Sequence, residues 1–268
     1  MKYSILIPIA FLLLLGGCSQ SEPPKPKGIP ITISWSEAKT PETAQVREAL
    51  MKAQFTSIVE GANKNLVLPE KLQILFQDKD GPLYDRKQKV IFFSYNFVEE
   101  TRISYLENGF CKTDEEALAE AVDAAEFIFL HEFTHAIIDI LQLPILAPEE
   151  DIADGLASIL AEVVLDSPEL ALAAAGSLHS LKHSEPKESA YWSRHSLDET
   201  RYYRILGLAY GSNPERVGPM IRERALAPEQ WWKERADSYA KDFEKLRTNW
   251  HRVLQPHRAK DSNLPEKL

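Results

Sequence analysis

Apolar and polar positions alternate from Ile31 to Trp35, the period of two that marks a half-buried strand. Leu72 to Gln77 and Val90 to Ser94 are short runs rich in branched and aromatic residues and read as two further strands. Between them Asp78-Lys79-Asp80-Gly81-Pro82 reads as a turn. Pro41-Glu42-Thr43 opens a helix expected to reach about Asn63. Beyond Ser94 the period becomes helical almost to the end. Thr113, followed by Asp114-Glu115-Glu116, is an N-cap with acidic residues in the first turn, and its helix runs to Leu141. Leu143 to Ala147 forms a loop, Pro148-Glu149-Glu150 opens the next helix, and Ser167-Pro168 interrupts it. A helix to about Leu181 follows, then helices over about 198–211, 213–225 and 228–254. This order predicts an α+β fold, mostly helical, with a small N-terminal sheet on the helical body. One domain spans 30–256, and the polar tail 257–268 is expected to fray.

The helix ending at Leu141 is apolar nearly all round, so it is buried, yet it carries His131-Glu132-Phe133-Thr134-His135. Residues four apart share a helix face, so both imidazoles can meet one metal ion while Glu132 reaches a water bound there. Burying two imidazoles and a carboxylate costs several kcal/mol unless something compensates them, and a dication does. A catalytic zinc site takes a third protein ligand. On the following helix Ile152, Leu156, Ile159, Leu160 and Val163 form the apolar face. Glu149 falls within that arc and Asp151 on the polar side, whereas Glu150 and Asp154 line up with the small residues Ala157 and Ala161. A five-residue loop turns the chain back antiparallel, which points Glu150 at His131 and His135. The pattern HExxHxxGxxH is excluded, because Ile138 and Leu141 stand at its last two positions.

HExxH followed by Glu150-x-x-x-Asp154 resembles the gluzincin pattern of the thermolysin-like clan. The resemblance implies a zincin-like fold with the sheet over the active-site helix, Zn2+ held by His131, His135 and Glu150, and Asp154 accepting a hydrogen bond from His131. It also implies a sheet edge that binds substrate as an added strand, for which Val90 to Ser94 is the candidate. A wider resemblance covers roughly residues 40–256. HEFTH, the Glu149-Glu150-Asp151-x-x-Asp154 segment, and Tyr191-Trp192-Ser193-Arg194-His195-Ser196-Leu197 continuing through Arg201 to Tyr210-Gly211-Ser212-Asn213-Pro214 resemble a bacterial metallopeptidase-like family of unknown function. Peptide hydrolysis builds negative charge on the carbonyl oxygen, which a His, Tyr or Arg opposite the metal stabilises. His195 is the catalytic candidate for this role, with Arg201, Tyr202, Tyr203 and Tyr210 as candidates for contact with substrate or transition state. A structural Arg201–Asp198 pair and a helix-start His195 are the alternatives.

Composition narrows the setting. The net charge is −9 and no Lys/Arg-rich block occurs, which excludes nucleic acid as a partner class. Met1-Lys2, the apolar run Tyr3 to Leu15 and Leu15-Gly16-Gly17-Cys18 resemble a bacterial lipoprotein signal peptide over residues 1–17, with Cys18 lipidated. Residues 18–29, rich in Pro and Lys, then form a tether. The anchor places the domain in the cell envelope, on the outer side of the cytoplasmic membrane or in the outer membrane facing the periplasm. Cys111 is left as a small core residue with no partner for a disulfide. His179 and His183 are four apart, but the helix is expected to end between them and no base stands beside them. The expected function is a membrane-anchored zinc metallopeptidase acting on peptides or proteins. Two alternatives stand beside it: a zinc amide hydrolase acting on peptidoglycan peptides, and a metal-stabilised lipoprotein that binds a protein partner without catalysis.

Overall fold

The computed structural model describes residues 28–180 and 198–265. Cys18 and the whole N-terminal targeting segment, His183 and His195 lie outside the described residues. The sheet has four strands, β1 (Thr32–Trp35), β2 (Gln73–Gln77), β3 (Leu83–Asp85) and β4 (Val90–Ser94), in the order β1-β2-β4-β3. The pairs β1–β2 and β2–β4 are parallel, with Ile33 opposite Ile74 and Ile74 opposite Ile91, while β3 runs antiparallel to β4. Val90–Ser94 therefore lies inside the sheet, and the edge on that side is β3, a strand the sequence pattern does not announce. Its three residues are too few to show an alternation. The chain reaches β3 through Gly81 at φ +101°, where a Cβ would sit 2.2 Å from the Phe92 carbonyl oxygen, so only glycine fits.

The helix expected over 41–63 is broken into α1 (Pro41–Lys52) and α2 (Phe55–Asn65). The break has a tertiary cause. The buried carboxylate of Glu126 accepts the backbone N–H of Gln54 at 2.5 Å and so caps α2 from outside. After β4 comes α3 (Tyr95–Glu107), capped by the Ser94 hydroxyl, and then the long α4 (Asp114–Ile140), capped by Thr113. Next come α5 (Glu149–Ile159), extended by a π-helical turn Leu160–Val164, α6 (Glu169–Ser180), α7 (Asp198–Ser212), α8 (Pro214–Glu223), α9 (Glu229–Glu234) and α10 (Ala236–Leu254). One apolar cluster fills the space between the sheet, α1–α4 and α5, with Phe55, Phe76, Phe93 and Phe129 at its centre. A second, around Tyr202, Ile205, Leu206, Trp231 and Tyr239, joins α6–α10 to the opposite face of α4. The helix carrying the histidines thus has an apolar cluster on each side, which fixes its position.

Gly207 and Gly211 form a bare stripe on α7 that lets α10 come close. A Cβ on Gly211 would lie 2.3 Å from the Tyr239 carbonyl oxygen. Asn213 then caps α8 through its side chain with Pro214 in the first turn, so the Tyr210-to-Pro214 stretch is a joint between two helices. The C-terminal tail, expected to fray, is docked within the described residues. Asn65 Oδ1 accepts from the Ser262 hydroxyl at 2.9 Å and the Asn263 N–H at 2.8 Å, which docks the tail on the end of α2.

Candidate metal centre

Four residues apart on α4, His131 and His135 project their rings side by side, and their Nε2 atoms stand 3.1 Å apart. The tight loop before α5 brings Glu150 across them, its two oxygens 3.3 Å from His131 Nε2 and 3.5 Å from His135 Nε2. The ligand atoms of His131, His135 and Glu150 all lie within 4.8 Å of one another. The far side of each ring is tied down. Asp154, fully buried, takes His131 Nδ1 at 2.8 Å, and Glu149 takes His135 Nδ1 at 2.6 Å. A neutral imidazole that donates from Nδ1 presents a lone pair at Nε2. Two such lone pairs and a carboxylate converging on one point repel each other unless a cation stands between them. Two nitrogens and one carboxylate oxygen suit a divalent cation of borderline softness.

Each orienting carboxylate is itself held by an arginine. Arg201 grips Asp154 in two places, Nε to Oδ2 at 2.9 Å and Nη2 to Oδ1 at 2.8 Å. Arg86, from the turn between β3 and β4, pairs with Glu149. Burial favours the neutral carboxyl at Asp154, but the hydrogen bonds of Arg201 and His131 outweigh it and hold the group below its usual range. The balance is the same at Glu149, where Arg86 and then His135 overcome burial. Burial also opposes the charge on His131, yet Asp154 and Glu150 push it up to about 9. At neutral pH and without a cation this shift favours a protonated His131, a proton that a bound metal would displace.

Glu132 lies on the cleft side of α4, where its Oε2 accepts the backbone N–H of Tyr84 at 2.8 Å. The Tyr84 hydroxyl and Lys89 both donate to Asp139, one turn beyond His135, at 2.8 and 2.6 Å. The short hairpin β3–β4 is thus clamped along the helix that carries the histidines. Beside His131 and Glu132 opens a cavity of about 380 Å3 between α3, α4, α6 and α7.

The remaining sequence candidates separate. Arg201 reaches the site through Asp154 and lines that cavity. Tyr202 is fully buried with its hydroxyl donating to the Leu226 carbonyl at 2.5 Å, so it belongs to the second apolar cluster and not to the cleft. Tyr203 packs against Tyr202, and Tyr210 packs against Trp231 and Trp232, so neither ring is at the metal centre. Glu149, Arg86 and Tyr84 are the residues that sequence reasoning missed. The doublet Glu149-Glu150 was the available signal for the first of them. For Arg86 and Tyr84 there was none, because only the unannounced strand β3 brings them to α4.

A family model described as "Putative metallopeptidase" matches residues 35–254. No curated protein and no solved structure matches the chain.

Proposed function

The chain belongs to the family described as "Putative metallopeptidase", and from that premise we propose that it is a zinc-dependent metallopeptidase hydrolysing peptide bonds. The observation that carries the reading is the convergence of His131, His135 and Glu150 with a second, non-ligating carboxylate, Glu132, beside them. A site built only to staple the fold has no use for a base at that position. When bound, zinc supplies Lewis-acid polarisation of the scissile carbonyl and acidifies a water. Glu132 would accept the proton of the attacking water and return it to the leaving nitrogen. Asp154 and Glu149 keep both rings in the tautomer that presents Nε2. In this reading the arrangement is zincin-like and β3 is the sheet edge beside Glu132, where an extended substrate strand would compete with Glu132 for the Tyr84 N–H. The expected metal content is one zinc per chain, lost in His131→Ala and in His135→Ala. Equal zinc in wild type and both variants removes the assignment.

The anchor belongs to the same reading. Among the described residues no helix is long and apolar enough to cross a membrane. Attachment would come from lipid on Cys18, placed by the Leu15-Gly16-Gly17-Cys18 run. Cys18→Ser should then leave the protein unlipidated, and release of the wild type from membranes without detergent at the level of that variant would count against the anchor.

A further inference from the structure

We propose that the cavity beside His131 and Glu132 is a specificity pocket that takes a large apolar side chain next to the scissile bond. The proposal rests on the peptidase reading and names the substrate class for it. Openings of similar volume occur elsewhere among the described residues, and what singles out this one of about 380 Å3 is its place, with both His131 and Glu132 in its wall. It falls within the range of ligand pockets, and an apolar hole of about 150 Å3 already admits benzene.

The walls are built from helix stripes. On α4, Phe127 and Ile128 stand one turn before His131 and Glu132, so the apolar wall begins directly behind the reacting groups. Across from them α6 contributes Ala174 and Leu178, and α7 contributes Ile205 one turn after Arg201. Small Ala174 is what leaves the room.

Four hydroxyls of the lining are already engaged, that of Ser104 by accepting from Asn108 Nδ2 at 3.2 Å. The hydroxyls of Thr101, Ser177 and Tyr105 donate to the carbonyls of Phe97, Ala174 and Ala173 at 2.9, 2.7 and 2.6 Å. They offer an entering side chain no strong donor. Among the described residues of the lining the one guanidinium, Arg201, is matched by the buried carboxylate of Asp154. Exposed Glu100 at the mouth repels an acidic side chain. What remains is apolar surface contiguous with the metal ligands, which rewards burial of a Phe or Leu side chain.

The test uses peptides that the wild-type protein cleaves, matched in pairs that differ only in Phe or Gly at one flank of the cleaved bond. Binding is read by fluorescence anisotropy on zinc-loaded Glu132→Gln protein. The Phe peptide of one flank should bind roughly 10- to 100-fold more tightly than its Gly partner. Ala174→Phe and Ser177→Leu, each added to that protein, fill the cavity from two different positions. Each should abolish the advantage while leaving zinc content and the affinity of the Gly peptide unchanged, and either variant alone suffices if the other does not fold. Equal affinities within the pairs at both flanks, or an advantage that survives the filling, overturns the pocket while the peptidase reading stands. Failure of the wild type to cleave any peptide overturns the peptidase reading, and the pocket with it.

Discussion

Glu149 and Glu150 are neighbours in the chain but serve the same two imidazoles in different ways. Glu150 faces both Nε2 atoms, while Glu149 holds the Nδ1 of His135 and is held in turn by Arg86. A helical projection puts Glu149 in the apolar arc and predicts that its loss is harmless. That reading fails because Glu149 is the first residue of α5, where the side chain can reach back past the helix end to α4. Glu149→Ala should therefore weaken zinc binding by roughly 10- to 100-fold, the usual cost of removing a partner of a ligating histidine. Asp154→Asn should fall in the same range, and Glu150→Ala should cost more because it deletes a ligand. Competition with a chelator measures all three, and wild-type affinity in Glu149→Ala would contradict the geometry. Of the site, local helix geometry in the sequence pointed to the grouping of His131, His135 and Glu150, and the gluzincin resemblance pointed to Asp154 beside His131. Tyr84 and Arg86 were invisible because their place depends on how a three-residue strand docks.

At the scale of elements, strand Val90–Ser94 and helix Asp114–Ile140 follow closely the boundaries that the pattern predicts, because each carries its own signals: a branched and aromatic run in one, an N-cap with acidic first turn in the other. The break between α1 and α2 was not legible, since the carboxylate that causes it comes from Glu126 on α4. Nor was the role of Gly211, which is set by the approach of α10. Gly211→Ala should lower stability by about 1–3 kcal/mol, the range for overpacking a close contact, with the metal ligands untouched. Urea unfolding of the zinc-loaded protein reads this directly. A loss below a few tenths of a kcal/mol would mean that α7 and α10 do not meet as closely as described.

For the whole molecule, the charge state of the centre couples stability to pH. In the metal-free protein His131 is raised from the ordinary 6.5 to about 9, because its hydrogen bonds to Asp154 and Glu150 outweigh burial. A raised pKa stabilises the fold fully below the unfolded value and loses that contribution as pH rises through the folded one. The melting temperature of metal-free protein should therefore fall between about pH 6.5 and 9 from this group. Zinc replaces the proton, so the loaded protein should lack that decline, and zinc uptake near pH 7 should release protons. Parallel melting curves with and without zinc test the sign. The same centre carries the central claim, that this is a peptidase site and not a structural one, and Glu132 tests it most directly. Glu132→Gln keeps the size of the side chain but cannot accept a proton. It should bind one zinc, fold as the wild type does and lose peptide hydrolysis by roughly a hundredfold or more. Hydrolysis by the wild type that persists undiminished in Glu132→Gln would contradict the account.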